Sequence, residues 1–185
     1  MTLPSRGLLV KRSQIDNLLG ALALETHDAL TSDFMELGLR TATDAATLIL
    51  LMQSESASIG ALARVLELSH SSTVRVVDRL EKRQLVSRVR QNDDARSVRL
   101  RLTKKGHTLA TAALAARERR LRSLLSPLSA EELRQFGESL TKVLETATTG
   151  RTAADRLCRW CDETVCTRES CPVEQRALLL SGTPS

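Results

Sequence analysis

The 185 residues predict a mainly α-helical fold that carries one small β-hairpin. Three observations lead there. Aromatic residues are only 2% of the chain (Phe34, Phe136 and Trp160), so the core must be assembled from Leu, Ala and Val, which suits packed helices better than a β-sandwich. Apolar residues recur at steps of three and four through most of the chain, the spacing of one helical face. One stretch changes to period two. There Val98, Leu100 and Leu102 alternate with Ser97, Arg99 and Arg101, as in a half-buried strand with a basic outer face.

The elements follow in order. Ile15, Leu18, Leu19, Leu22, Ala29, Leu30, Phe34 and Leu37 mark a long amphipathic helix over 8–38, closed by Gly38, with His27 as a packing or surface residue. Thr41-Ala-Thr-Asp44 has capping-box spacing and opens a second helix to about Met52, with Ala45, Leu48, Ile49 and Met52 buried. A polar loop over 53–58 ends at Ser58, the N-cap of a third helix with Ile59, Leu62, Ala63 and Leu66 at core spacing. Leu68-Ser69 forms a turn, and Ser69 caps a fourth helix over about 70–83. In it Val74, Val77 and Leu80 face the core, while Ser72, Arg75, Arg79 and Lys82 or Arg83 form the opposite stripe. Residues 86–90 pair with the period-two strand across a turn at 91–96, where Asn92 and the Asp pair suit turn geometry. Thr103-Lys-Lys-Gly starts a fifth helix over 104–125, stopped by Pro127. The capping box Ser129-Ala-Glu-Glu132 opens a sixth that ends before Gly150.

Charge is unevenly placed. Residues 58–105 hold twelve Lys or Arg against five Asp or Glu, a local excess larger than the whole-chain +5. Two helices joined by a short turn, followed by a basic hairpin, form a winged helix-turn-helix. One helix lies in the major groove of double-stranded DNA while the other braces it on the backbone. The candidate DNA-binding residues are Ser69, His70, Ser71, Ser72 and Thr73, short or polar at the helix start, then Arg75 and Arg79, which reach guanine edges or phosphates. On the wing, Arg90 is counted with them. Arg96 is positioned to enter a minor groove, with Asp94 holding its guanidinium, although the two can equally pair to stabilise the hairpin.

Other function classes fit less well. Scarce aromatics argue against single-strand binding, which stacks bases on aromatic faces. There is no phosphate-binding Gly loop, Ser-His-Asp arrangement or HExxH, and the three His lie in separate segments, so an enzyme is not expected. A winged helix that binds proteins predicts a recognition helix without basic residues, contrary to Arg75 and Arg79. The longest apolar run, Leu48–Met52, cannot span a bilayer, and the N-terminus lacks a stretch of signal-peptide length, so a cytoplasmic protein with no membrane partner is expected.

The run LARVLELSHSSTVRVVDRLEKRQLVSRV…DDARSVRLRLTKKG resembles the MarR family of bacterial transcriptional regulators. The match rests on Leu62-Ala63, the Ser-containing turn, Thr73-Val74, Val77-Asp78-Arg79-Leu80-Glu81, Leu85-Val86, Asp94-Ala-Arg96 and Leu102-Thr103…Gly106, and covers about residues 10–148. The resemblance implies a MarR-type domain over 8–148, with a reading head at 43–103 flanked by dimerisation helices at 8–38 and 104–148. It further implies a homodimer that represses from a pseudo-palindromic operator and releases it on binding a small-molecule effector or on thiol oxidation. Gln84 departs from the family, which usually has Gly after the recognition helix. A left-handed Gln84 costs about 1 kcal/mol unless the helix closes differently.

The tail, 149–185, is not explained by the family. It reads Cys158-x2-Cys161-x4-Cys166-x4-Cys171-Pro172. Four thiolates this close can surround a zinc ion or hold an iron–sulfur cluster, and both remain open. Thiols that switch by disulfide formation are the alternative. Trp160 either packs over the site or anchors the tail to the body.

Overall fold

A computed structural model describes residues 11–54, 56–91 and 94–182, the side chains of 90–97 excepted. Among these the chain runs α1 (Arg12–Glu36), α2 (Ala42–Gln53), α3 (Ile59–Leu66), α4 (His70–Lys82), β1 (Val86–Gln91), β2 (Asp94–Leu102), α5 (Lys104–Leu125), α6 (Ala130–Ala147), α7 (Arg151–Leu157) and α8 (Pro172–Ser181). The mainly helical fold with a small wing is as the sequence predicts.

Local chemistry sets the boundaries. Thr41, Ser58, Ser69, Thr103 and Ser129 each accept a bond from a first-turn amide, satisfying donors that a helix N-terminus leaves orphaned. Ser129 and Glu132 complete a reciprocal capping box. At 41–44 only half of that pattern forms. The Asp44 carboxylate turns away from Thr41 and accepts from the Arg40 amide at 3.2 Å. Gly38 follows α1 at φ +82°, the left-handed position that ends a helix.

The core joins Leu30 and Phe34 of α1, most of α2, Leu62 of α3, Val76, Val77 and Leu80 of α4, Leu85, Val86, Leu100, and Ala110 and Ala113 of α5. Helix α2 is more buried than one amphipathic face predicts. Ala46, Thr47 and Leu51 join Ala45, Leu48 and Ile49 inside, whereas Met52 is only half-buried. In α4 the inward set is Thr73, Val76, Val77 and Leu80, with Val74 half-exposed. The wing pairs Val86 with Leu102 and Arg88 with Leu100, and β2 begins at Asp94, so the turn is shorter than 91–96. The loop before α3 adds an antiparallel bridge, Ala57 to Leu100, which period-two reading could not detect in one residue.

Two glycine positions matter. A Cβ on Gly106 would lie 1.9 Å from the Leu85 carbonyl oxygen, so the start of α5 meets the strand entry only with Gly there. Gln84 takes φ +59°, the left-handed conformation that the missing family glycine implied.

Beyond α6 the tail folds back on the body. Ala154, Cys171, Val173 and Ala177 form a small second core with Leu144, Leu157 and Cys158.

Candidate nucleic-acid interface and thiol site

Helix α4 presents its N-terminus and one flank outward. Ser69, His70, Ser71 and Arg75 are exposed, and Ser72 is half-exposed. The Ser69 hydroxyl accepts from the Ser72 amide at 3.2 Å and contacts the Ser71 and Ser72 hydroxyls, so the first turn is a compact hydroxyl surface with open amides. Arg75 and Lys82 extend into solvent from the same flank, and Arg40 joins them beside a basic cavity of about 420 Å³. Arg40 precedes α2 and carries no helical-pattern signal, so the sequence could not place it there.

Two candidates are corrected by this geometry. Thr73 is fully buried and its hydroxyl donates to the Ser69 carbonyl at 3.0 Å, so its side chain braces the helix instead of facing a duplex. Arg79 turns inward. It forms an ion pair with Asp44, whose side chain is 0% exposed, with Nε at 3.2 Å from Oδ1. Arg83 likewise bonds back to the Gly38 carbonyl at 2.8 Å, which leaves Lys82 as the outward member of that pair. The side chains of Arg90, Asp94 and Arg96 lie outside the described residues. On the wing's described part Arg101 is exposed, while Arg88 is held by Asp78 at 2.6 Å and by Glu81, which keep its guanidinium even more firmly protonated than usual.

The four thiols come together. Cys158, Cys161, Cys166 and Cys171 line one cavity of about 530 Å³ with Leu50 of α2 and with Ala61, Arg64 and Val65 of α3. Cys158 and Cys161 flank a tight turn closed by the Cys161 amide on the Cys158 carbonyl at 2.8 Å. Cys171 sits at the N-cap of α8, with Pro172 in the first turn. None of the four is in a disulfide. The thiols act on one another's titration in a row, Cys161 with Cys158, Cys158 with Cys171, and Cys171 with Cys166. The Cys158 contact, opposed by burial and assisted by Arg117, lowers the Cys161 thiol to about 7, and the same contact with burial pushes Cys158 up. Burial also raises Cys166. Among the described residues no three His, Cys, Asp or Glu side chains already surround a common point as a metal site. The donor set suits a thiophilic ion or cluster, since all four soft ligands share one cavity wall; ligation requires the row to close around the ion.

The tail is fastened to the body through Trp160. Its ring stacks on His27 of α1 at 5.7 Å between centroids and meets Phe34 edge-on at 5.4 Å, with the Arg159 guanidinium 5.0 Å away on the ring. Gln53, at the end of α2, donates to the Cys161 carbonyl at 2.5 Å. Among the described residues no helix is long and apolar enough to cross a membrane.

Residues 41–98 match the family model described as MarR family. Among curated proteins the chain is similar to an uncharacterized HTH-type transcriptional regulator, YsmB, of Bacillus subtilis, 33% identical over 86 residues, which are 46% of this chain and 59% of that relative. The chain thus spans about three-fifths of the length of the curated relatives it matches. Among solved structures it is similar to the YusO protein of Bacillus subtilis, at TM-score 0.65 and 27% identity over 73% of this chain and 95% of that one. It is also similar to a MarR family protein from Bacillus stearothermophilus, at TM-score 0.63 and 28% identity over 74% and 95%.

Proposed function

We propose that this chain, with a MarR-family winged helix over residues 41–98, is a DNA-binding transcriptional regulator that works as a homodimer on a pseudo-palindromic duplex site and represses from it. The observation that carries the reading is the outer flank of α4. Open first-turn amides, the Ser69–Ser71 hydroxyls, His70, Arg75 and Lys82 all lie on one exposed, basic surface with Arg40. Amides and hydroxyls suit phosphates, and an exposed Arg suits a guanine edge. Thr73, Arg79 and Arg83 support that surface from inside.

Dimerisation is supported by what one chain leaves uncovered. Ile15, Leu18, Leu19 and Leu22 of α1 are 41–61% exposed, and Leu133, Leu140 and Val143 of α6 are 38–53% exposed. Apolar stripes on two long helices call for a second copy. The regulator acts by binding, with no catalytic step. The tail thiols hold a zinc ion or an iron–sulfur cluster that stabilises or senses, and the lowered Cys161 thiol also favours the thiol-switch alternative.

Fluorescence anisotropy on duplexes from the gene's own upstream region tests the regulator. Salt-sensitive, saturable binding is expected, along with a rise in reporter transcription when the gene is deleted. No salt-sensitive binding there or on genomic fragments overturns it.

A further inference from the structure

Resting on that regulator reading, we propose that a metal centre on Cys158, Cys161, Cys166 and Cys171 is a clasp between the tail and the reading head: filled, it locks Trp160 onto α1 and draws α3 toward itself, fixing the helix-turn-helix against the dimerisation helix. The ligand class is a tetrathiolate centre, supplied either by Zn2+ or by an iron–sulfur cluster.

Placement carries the proposal. The thiol cavity has the first helix of the helix-turn-helix as one wall, through Ala61, Arg64 and Val65. The turn that bears two of its thiols also bears Trp160, which lies against His27 and Phe34 of α1. The same turn receives the Gln53 side chain from the end of α2. The cysteine segment therefore touches the dimerisation helix, the helix after it and the reading head at once. Whatever orders it orders the angle among all three.

Two further features make the linkage depend on the centre. The Trp160 indole N–H is buried without a partner. A buried donor left unmade opposes that ring position, so the position needs an external hold. Ligation of Cys158 and Cys161, the residues two before and one after Trp160, supplies one by fixing the turn. The second feature is charge. Four thiolates around one dication leave about two negative charges on the wall that Arg64 shares, more than the thiols alone carry. Arg64 belongs to no ion pair among the described residues, so the charge that filling adds beside the Asp155, Glu163 and Glu174 carboxylates of the same cavity strengthens its attraction to that wall. A ligand shifts an equilibrium only through such a difference between states. A head fixed in one orientation loses less freedom on binding, so filling raises affinity for the duplex.

Trp160 is the only Trp and the chain has no Tyr, so intrinsic emission reports this one contact. Full-length protein, reduced and stripped by chelator, is titrated with Zn2+; in a parallel arm it is reconstituted anaerobically with ferrous iron and sulfide. Emission, native mass and visible absorption are recorded, and duplex affinity is measured at each end point. The expected result is one Zn2+ or one cluster per chain, blue-shifted emission less open to iodide quenching, and duplex affinity raised at least about fivefold. Colourless zinc protein and coloured cluster protein identify the source. Trp160→Ala and Gln53→Ala keep the metal stoichiometry and lose the affinity response. Stoichiometric metal with unmoved emission, an affinity that falls or stays level on filling, a metal-responsive Trp160→Ala, or protein that takes up neither metal nor cluster overturns the clasp. A metal-driven emission shift in protein that binds no duplex supports the mechanical linkage and overturns the regulator reading instead.

Discussion

Asp44 and Arg79 separate what a single residue does from where a helical wheel puts it. The wheel sets Arg79 on the flank of Arg75, one turn on, and the angle is right. What the wheel omits is a fully buried carboxylate 35 positions earlier that captures the guanidinium. The two arginines should therefore fail differently. Arg79→Ala strands a buried charge and should cost about 3 kcal/mol of stability in urea unfolding. Arg75→Ala removes only an exposed cation, so stability should stay within about 0.5 kcal/mol. If Arg75 contacts a phosphate, its loss should lower the salt slope of duplex binding by about 0.9. A salt slope that falls with Arg79→Ala and not with Arg75→Ala would reverse the assignment. Thr73 departs from the sequence expectation for the same reason as Arg79: a hydroxyl beside a groove-facing turn looks like a contact until its i−4 carbonyl claims it. Gln84 shows the opposite case, since a missing glycine is legible in sequence. With φ at +59°, Gln84→Gly removes a left-handed penalty larger than the chain entropy that glycine adds, so it should raise stability by about 0.5–1 kcal/mol.

Between elements, the telling ties join α1 and the wing to α5. Asp33 of α1 receives the Arg120 guanidinium at 2.9 and 2.6 Å, and that hydrogen bond holds its carboxyl below the usual carboxylate range. A lowered carboxylate contributes stability that is complete above its ordinary pKa near 3.9 and is lost as pH falls through the lower folded value. Acid unfolding should thus steepen below about pH 4 and flatten in Asp33→Asn, as followed by circular dichroism. At the wing root the constraint is steric. Gly106→Ala drives a methyl into the Leu85 carbonyl and should cost at least about 2 kcal/mol. Element ends were largely legible because caps are local chemistry: Thr41, Ser58, Ser69, Thr103 and Ser129 each announce a helix within four residues. The Ala57–Leu100 bridge and the burial of Leu51 were not legible, since both are set by segments distant in sequence.

At the scale of the whole molecule, the sequence identified the four cysteines as a cluster but gave no hint of which surface they close on. That surface includes α3 of the helix-turn-helix, so on the proposed reading the thiol site and the duplex contact share one lobe, and the geometry of the proposed dimer decides what a change at the thiols reaches. The apolar stripe from Ile15 to Leu22 leaves α1 exposed over its first half, while its second half, at Leu30 and Phe34, is locked into the core beside Trp160. One helix thus offers an uncovered apolar stripe for the proposed partner copy and packs beside the tail at its other end. If the proposed dimer is obligate, its interface should bury on the order of 2,000 Å² or more, and folding should draw on association. The melting temperature should rise with protein concentration across the micromolar range, and Leu19→Glu combined with Leu140→Glu should yield a monomer by light scattering. Because a palindromic site rewards two heads held at one spacing, that monomer should bind a single half-site with little loss and the full site far more weakly than the native chain. A double variant that stays dimeric and grips the full site normally would move the interface away from α1 and α6, and with it the route from tail to duplex.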